Sequence, residues 1–131
     1  MIIRFHQQEK GQAMVELALI MPIVILMLMG IFEFGRLFHA HITVTHAARE
    51  GARLAAVGAN DENIRIRVND NAAALIQENL HVTVSPAQGD RVRGEAVRVE
   101  VRYPVILSMP VISVAIPNPV WVEGKTIMRL E

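Results

Sequence analysis

Residues 17–32 read LALIMPIVILMLMGIF, sixteen residues without a charge, with Glu16 directly before them and Glu33 directly after. As a helix this run covers roughly 24 Å at about 1.5 Å per residue. A bilayer hydrocarbon core is about 30 Å thick and usually takes about 20 apolar residues. Ala13, Met14 and Val15 on one side, and Phe34, Leu37 and Phe38 on the other, bring the segment to spanning length, so the membrane part is predicted at about residues 14–38. That extension places Glu16 and Glu33 near lipid. An ionised carboxylate inside hydrocarbon is costly unless it is paired or faces protein, which singles out Glu16 as a functional candidate. Glu33 has Arg36 one helical turn further on, and both side chains can reach the headgroup layer.

Composition removes several function classes. Thirteen Lys and Arg balance thirteen Asp and Glu, and no basic stripe is interleaved with aromatics, so nucleic-acid binding is not expected. The chain has no cysteine, which excludes a disulfide scaffold, a thiolate zinc site and a cysteine nucleophile. Three histidines, His39, His41 and His46, follow the apolar run. On one helix His41 lies about 200° from His39, and no acid completes a site on the face that His39 shares with His46. Glu33 and Glu50 would be about 25 Å apart on that helix and cannot act as a carboxylate pair. With no GxSxG, P-loop or dinucleotide fingerprint, the chain is expected to be non-enzymatic, with no catalytic or metal-binding residues, no cofactor and no small-molecule substrate.

Residues 1–16, MIIRFHQQEKGQAMVE, place Arg4 and Lys10 before Gly11, then open the apolar helix with an acid at the fifth position after the glycine. A secretory signal has its small-residue cleavage site after the apolar region, whereas here the small-residue junction comes first. Cutting there would retain the membrane helix. Arg4 and Lys10 precede the run while Arg36, Arg49 and Arg53 follow it. Charge asymmetry is therefore small, and an inward N-terminus is expected mainly from the leader pattern.

Helix is predicted to continue from Phe34 through Val57, with Gly58 and Asn60 as its stop. Ala47, Gly51 and Ala55 form one row of small residues and Ala48, Ala52 and Ala56 another. Such rows permit close approach of a partner helix, or they express high intrinsic helix propensity. Arg49, Glu50 and Arg53 lie outside them. A second, amphipathic helix is predicted over 61–78 from Ile64, Val68, Ala72, Leu75 and Ile76. Alternation of Val82 with Val84, of Val97, Val99, Val101 and Tyr103, and of Val120, Val122, Thr126, Met128 and Leu130 predicts about three antiparallel strands buried on one face. Residues 104–119, PVILSMPVISVAIPNP, are uncharged and carry four prolines. They cannot form a membrane helix and are expected to cover the core, with lipid or another subunit as the alternative. The fold class is α+β: a long N-terminal transmembrane helix continuing into a small extracytoplasmic domain with a second helix and a roughly three-stranded antiparallel sheet. The long helix must supply part of the packing surface.

The stretch GQAMVELALIMPIVILMLMGIFEFGRLFHAHITVTHAAREGARLAAVG, residues 11–58, resembles the TadE-like pseudopilins, minor components of the bacterial tight adherence (Tad, or Flp) pilus machinery. The matching pieces are Gly11 before Gln12, the Val15-Glu16 pair, Pro22, the segment Phe32-Glu33-Phe34-Gly35-Arg36, and Ala47-Ala48-Arg49-Glu50-Gly51-Ala52-Arg53. The resemblance implies a leader over 1–11 cut between Gly11 and Gln12 by a prepilin peptidase, a long helix over 12–58 and an α+β domain over 59–131. It also implies an assembly role for Glu16, which would pair with the freed amine of a neighbouring subunit. Glu33, Gly35, Arg36, Ala48, Arg49, Glu50, Gly51 and Arg53 would form a membrane-boundary and helix-packing motif. The partners implied are the inner membrane, the peptidase, other pseudopilins and the pilus assembly platform. The competing expectation is an uncleaved single-pass protein whose periplasmic domain binds or regulates a secretion complex.

Overall fold

The structure is a computed structural model that describes residues 3–131, with side chains from Gly11 onward. Helix α1 runs Ile3–Ala56 and contains Pro22. Two compact units divide the chain, residues 1–34 and 35–131, so the last turns of α1 belong to the second unit.

In the second unit α1 stops where the sequence places a glycine. Gly58 has φ +82°, a conformation that favours a residue without Cβ. Its N–H donates to the Ala55 carbonyl at 3.0 Å, and that of Ala59 donates to Leu54 at 3.3 Å. This pair of bonds is the Schellman arrangement, which satisfies carbonyls left open at a helix end. Two residues later the Asn60 side chain accepts from the Asn63 N–H at 2.8 Å, an N-cap that starts α2, Asp61–Asn71.

Helix α2 is shorter than the predicted 61–78. Asn69, Asp70 and Asn71 form its last turn, residue types whose side chains compete for backbone groups. The Asn71 amide donates to the Arg67 carbonyl at 2.8 Å, and Gln77 Nε2 donates to the carbonyls of Ala72 and Leu75. A turn and a short 3-10 segment, Gln77–Asn79, replace the missing helix. Ile64, Val68 and Ala72 are buried as expected, whereas Ile76 turns outward.

The strands are β1 His81–Ser85, β2 Ala96–Val105 and β3 Val120–Arg129, and a four-residue helix α3, Pro110–Ser113, lies in the β2–β3 connection. They form one antiparallel sheet in the order β1-β2-β3, with Val101 opposite both Val82 and Gly124. Alternation put Val97, Val99, Val101 and Tyr103 on one face of the central strand, and all four are buried, as is Val105 at its end. They form a single core with Ala40, Val44, Ala47, Ala48, Ala52 and Ala55 of α1 and with Ile64, Val68 and Ala72 of α2. The sheet therefore covers both helices with one face, while Arg98, Arg102, Glu123 and Lys125 project from the other.

Three anchor points show that β3 runs alongside α1 in the same direction. Arg36 donates to the Ile106 carbonyl at 3.3 Å, the Val44 carbonyl lies against Gly124, and the Ala56 carbonyl accepts from the Glu131 N–H at 2.9 Å. A further clamp joins loops. Arg91, whose side chain is 5% exposed, donates to the carbonyls of Pro86 at 3.1 Å and Ala59 at 2.9 Å, and its guanidinium pairs with Asp61. The β1–β2 connection is thereby fixed to the α1–α2 turn.

Residues 104–119 cover the core, as expected of them, only in part. Val105, Leu107 and Met109 point into the core, whereas Ile106, Val111, Val114 and Ile116 are exposed. The first half still obeys the strand alternation of β2, and α3 reverses the chain before the second half can reach the core.

Candidate functional site

The residues with chemical interest lie at three levels of α1. Nearest the N-terminus, Gly11, Gln12 and Glu16 are exposed on the helix surface. Gln12 and Glu16 are four residues apart, so they share a face one turn from each other. No heavy atom lies within 4 Å of where a Cβ would stand on Gly11. Arg4 and Lys10 of the expected leader fall outside the residues whose side chains are described.

Beyond Glu16 the apolar run is exposed along its length, from Leu17 and Leu19 through Ile31 and Phe32. By length and composition the segment Gly11–Ala56 includes a span able to cross a membrane. Apolar area removed from water is worth roughly 25 cal/mol per Å², so a helix that offers this many large side chains requires lipid or other chains around it. At the end of the run Glu33 is 4% exposed, buried where the sequence predicts a side chain reaching for the headgroup layer. Gly35 is exposed, with room for a Cβ. Arg36 donates through Nη1 to Ser108 Oγ at 3.1 Å as well as to Ile106, so it ties the start of the second unit to the β2–β3 connection.

At the third level, the sequence AAREGAR faces two ways. Ala47, Ala48, Gly51 and Ala52 are buried, while Arg49 and Arg53 are exposed and Glu50 is half-buried. The small residues face the chain's own sheet and α2. A Cβ on Gly51 would stand 2.6 Å from Val68 Cγ2 and 3.1 Å from Val99 Cγ1. The alanine rows therefore bring α1, α2 and β2 close together within one unit. Motif residues 47–53 are assembled with the domain core, whereas Gly11, Gln12 and Glu16 belong to the other unit. His39, His41 and His46 are exposed on α1, and among the described residues no three His, Cys, Asp or Glu side chains cluster so as to hold a metal ion. Arg91 and Gly124 were not singled out by periodicity. A glycine inside an alternating strand is a known sign of close backbone approach, and that signal was present at Gly124.

A glycine, an acid five residues on, a long exposed apolar run and a small-residue motif are thus carried in order on one helix. The model of the TadE-like protein family matches residues 11–53. This TadE-like segment contains all three levels and ends at Arg53, just before α1 itself ends. It is consistent with a TadE-like protein of the Tad pilus system, a membrane-associated family not known as enzymatic. No curated protein and no solved structure matches the chain.

Proposed function

We propose that the chain is a minor pseudopilin that takes part in the biogenesis or assembly of a Tad-type adhesive pilus. In this reading a prepilin peptidase cuts between Gly11 and Gln12 and removes the leader on the cytoplasmic side. The apolar run, about residues 14–38, holds the mature protein in the bacterial inner membrane as a single span, with the N-terminus cytoplasmic and the sheet-bearing unit periplasmic. Other pseudopilins and the assembly platform are its partners, and its role is structural, not catalytic. The observation that supports this best is the extent of the TadE-like match, which opens on the candidate scissile residue Gly11 and runs through the exposed apolar helix into the buried AAREGAR.

Physical chemistry explains why the role that the resemblance implies for Glu16 would matter. A carboxylate and an ammonium each cost several kcal/mol when taken out of water, and they offset one another only in good geometry. Glu16 lies at the start of the apolar surface, so pairing with the amine freed at Gln12 of a neighbouring subunit would set the register between subunits. A misplaced subunit would leave both charges uncompensated.

The decisive measurement is the intact mass and N-terminal sequence of protein recovered from native membranes, beside a Gly11→Asp variant. Wild type is expected to begin at Gln12, as the open or cyclised residue, and the variant to remain full length. Glu16→Leu is expected to be processed normally and to yield no pili. Full-length protein in both membranes would overturn the pseudopilin reading in favour of an uncleaved single-pass protein whose periplasmic unit binds or regulates a secretion complex.

A further inference from the structure

The proposed function leaves the exposed half of the β2–β3 connection unassigned, yet it presents several large apolar side chains to the outside. Val114 is 90% exposed, Val111 63% and Ile106 62%. No charge occurs anywhere in residues 104–119. An exposed apolar stretch without charge is the kind of surface that marks an interaction site, and its position indicates which one. Arg36 binds both Ile106 and Ser108, and Arg36 stands two residues past the end of the first unit. The loop is therefore fastened to the end of the second unit at which the apolar run of α1 joins it.

We propose that this loop tip, residues 106–116, is a second membrane contact, seated in the headgroup and outer acyl layer of the bilayer that α1 crosses. The proposal rests on the membrane-anchored reading above. Two further observations favour lipid over a protein partner.

The first is how the loop disposes of its backbone polar groups. Pro104, Pro110, Pro117 and Pro119 have no N–H to satisfy. The Asn118 amide accepts from the Leu107 N–H at 3.0 Å and donates to the Leu107 carbonyl at 3.2 Å. The N–H groups of Ala115 and Ile116 both donate to Ile112, and that of Ser113 to Met109. The Ser113 hydroxyl donates to Pro110 at 2.8 Å. Irregular backbone is excluded from the hydrocarbon centre, but a loop whose backbone polar groups are partly satisfied within itself is suited to the shallow, still hydrated depth at which interfacial segments bury their apolar face.

The second is what surrounds it. Trp121 is paired in register with Pro104, so the only tryptophan of the chain lies at the same end of the sheet as the loop. The Arg102 guanidinium stands 5.2 Å over its ring, and the His81 ring lies 5.6 Å away. Arg102 also approaches Glu123 at 4.0 Å. Tryptophan and arginine together are typical of the membrane–water interface, and here they stand at the end of the sheet from which the loop leaves.

Single-tryptophan variants of the full-length chain, made in a Trp121→Phe background and placed in phosphatidylcholine and phosphatidylglycerol vesicles carrying brominated acyl chains, test this. Val114→Trp, with Val111→Trp as a second site, is expected to be blue-shifted and to lose about half its emission to bromine close to the headgroup. Ile127→Trp, on the outer sheet face, is expected to lose none, and Ile25→Trp to be quenched by deep bromine. Quenching at Ile25 without quenching at Val114 and Val111 overturns the loop contact and leaves the anchor standing. An unquenched but blue-shifted Val114→Trp means that protein covers the loop, which also overturns it. Quenching at none of these sites removes the anchor and the loop contact together.

Discussion

Gly124→Ala is expected to lower the stability of the second unit by about 3 kcal/mol or more, which for a unit of this size is a fall in melting temperature of roughly 12 °C or more. A Cβ added at this position would stand 2.3 Å from the Val44 carbonyl oxygen and 2.6 Å from the Thr45 nitrogen. Overpacking a core usually costs about 1–3 kcal/mol because neighbouring side chains move aside. Here the obstacle is helix backbone on one side and a strand paired along its whole length on the other, so either α1 leaves the sheet or β3 breaks register. Gly124 does not have a positive φ, which leaves the close approach, and not backbone conformation, as the reason for glycine. Thermal unfolding of the full-length protein in detergent, followed by the near-UV circular dichroism of Trp121 three residues earlier on β3, reads the effect. Lys125→Ala, exposed on the outer face of the same strand, serves as the control and should change stability by no more than about 0.5 kcal/mol. Equal melting temperatures for the two variants would show that the helix and sheet are not held at this separation.

Periodicity could find what depends on one residue's own environment and could miss what depends on two segments meeting. The alternating valines of β2 and the even-numbered face of β3 needed only the rule that successive strand residues point to opposite sides. The stop at Gly58 needed only the glycine. Helix α2 was drawn too long because Ala72, Leu75 and Ile76 continue a helical spacing, while the competition that ends the helix is settled by the amides of Asn71 and Gln77. Arg91 sits in a polar loop with no pattern around it, and its importance comes from three acceptors brought together by the fold, Pro86, Ala59 and Asp61. The AAREGAR motif was visible as two rows of small residues, but a row of alanines does not say whether its partner belongs to the same chain. Gly11, Gln12 and Glu16 are a different case. Their order along the sequence singles them out as candidates, and the fold adds only that they are exposed on one helix.

Gly51 allows that last ambiguity to be resolved by measurement. Gly51→Ala should cost between nothing and about 2 kcal/mol in stability, because the gain of about 1 kcal/mol in helix propensity is set against an overpacking cost of about 1–3 kcal/mol, with Cγ2 of the buried, β-branched Val68 only 2.6 Å from the added Cβ. Gly51→Leu has no such balance. It drives three further carbons into the space already filled by Val68, Val99 and Ile64, at an expected net cost of about 2–4 kcal/mol. Arg49→Ala and Arg53→Ala, each two residues away in sequence but exposed, should each stay within about 0.5 kcal/mol of the parent chain. Thermal melts of these four full-length variants separate two uses of one motif. If the small residues close α1 onto its own sheet and α2, the leucine variant melts far below the rest, and any loss of assembly follows from that. A leucine variant that melts like wild type yet fails to assemble would instead place another subunit against Gly51.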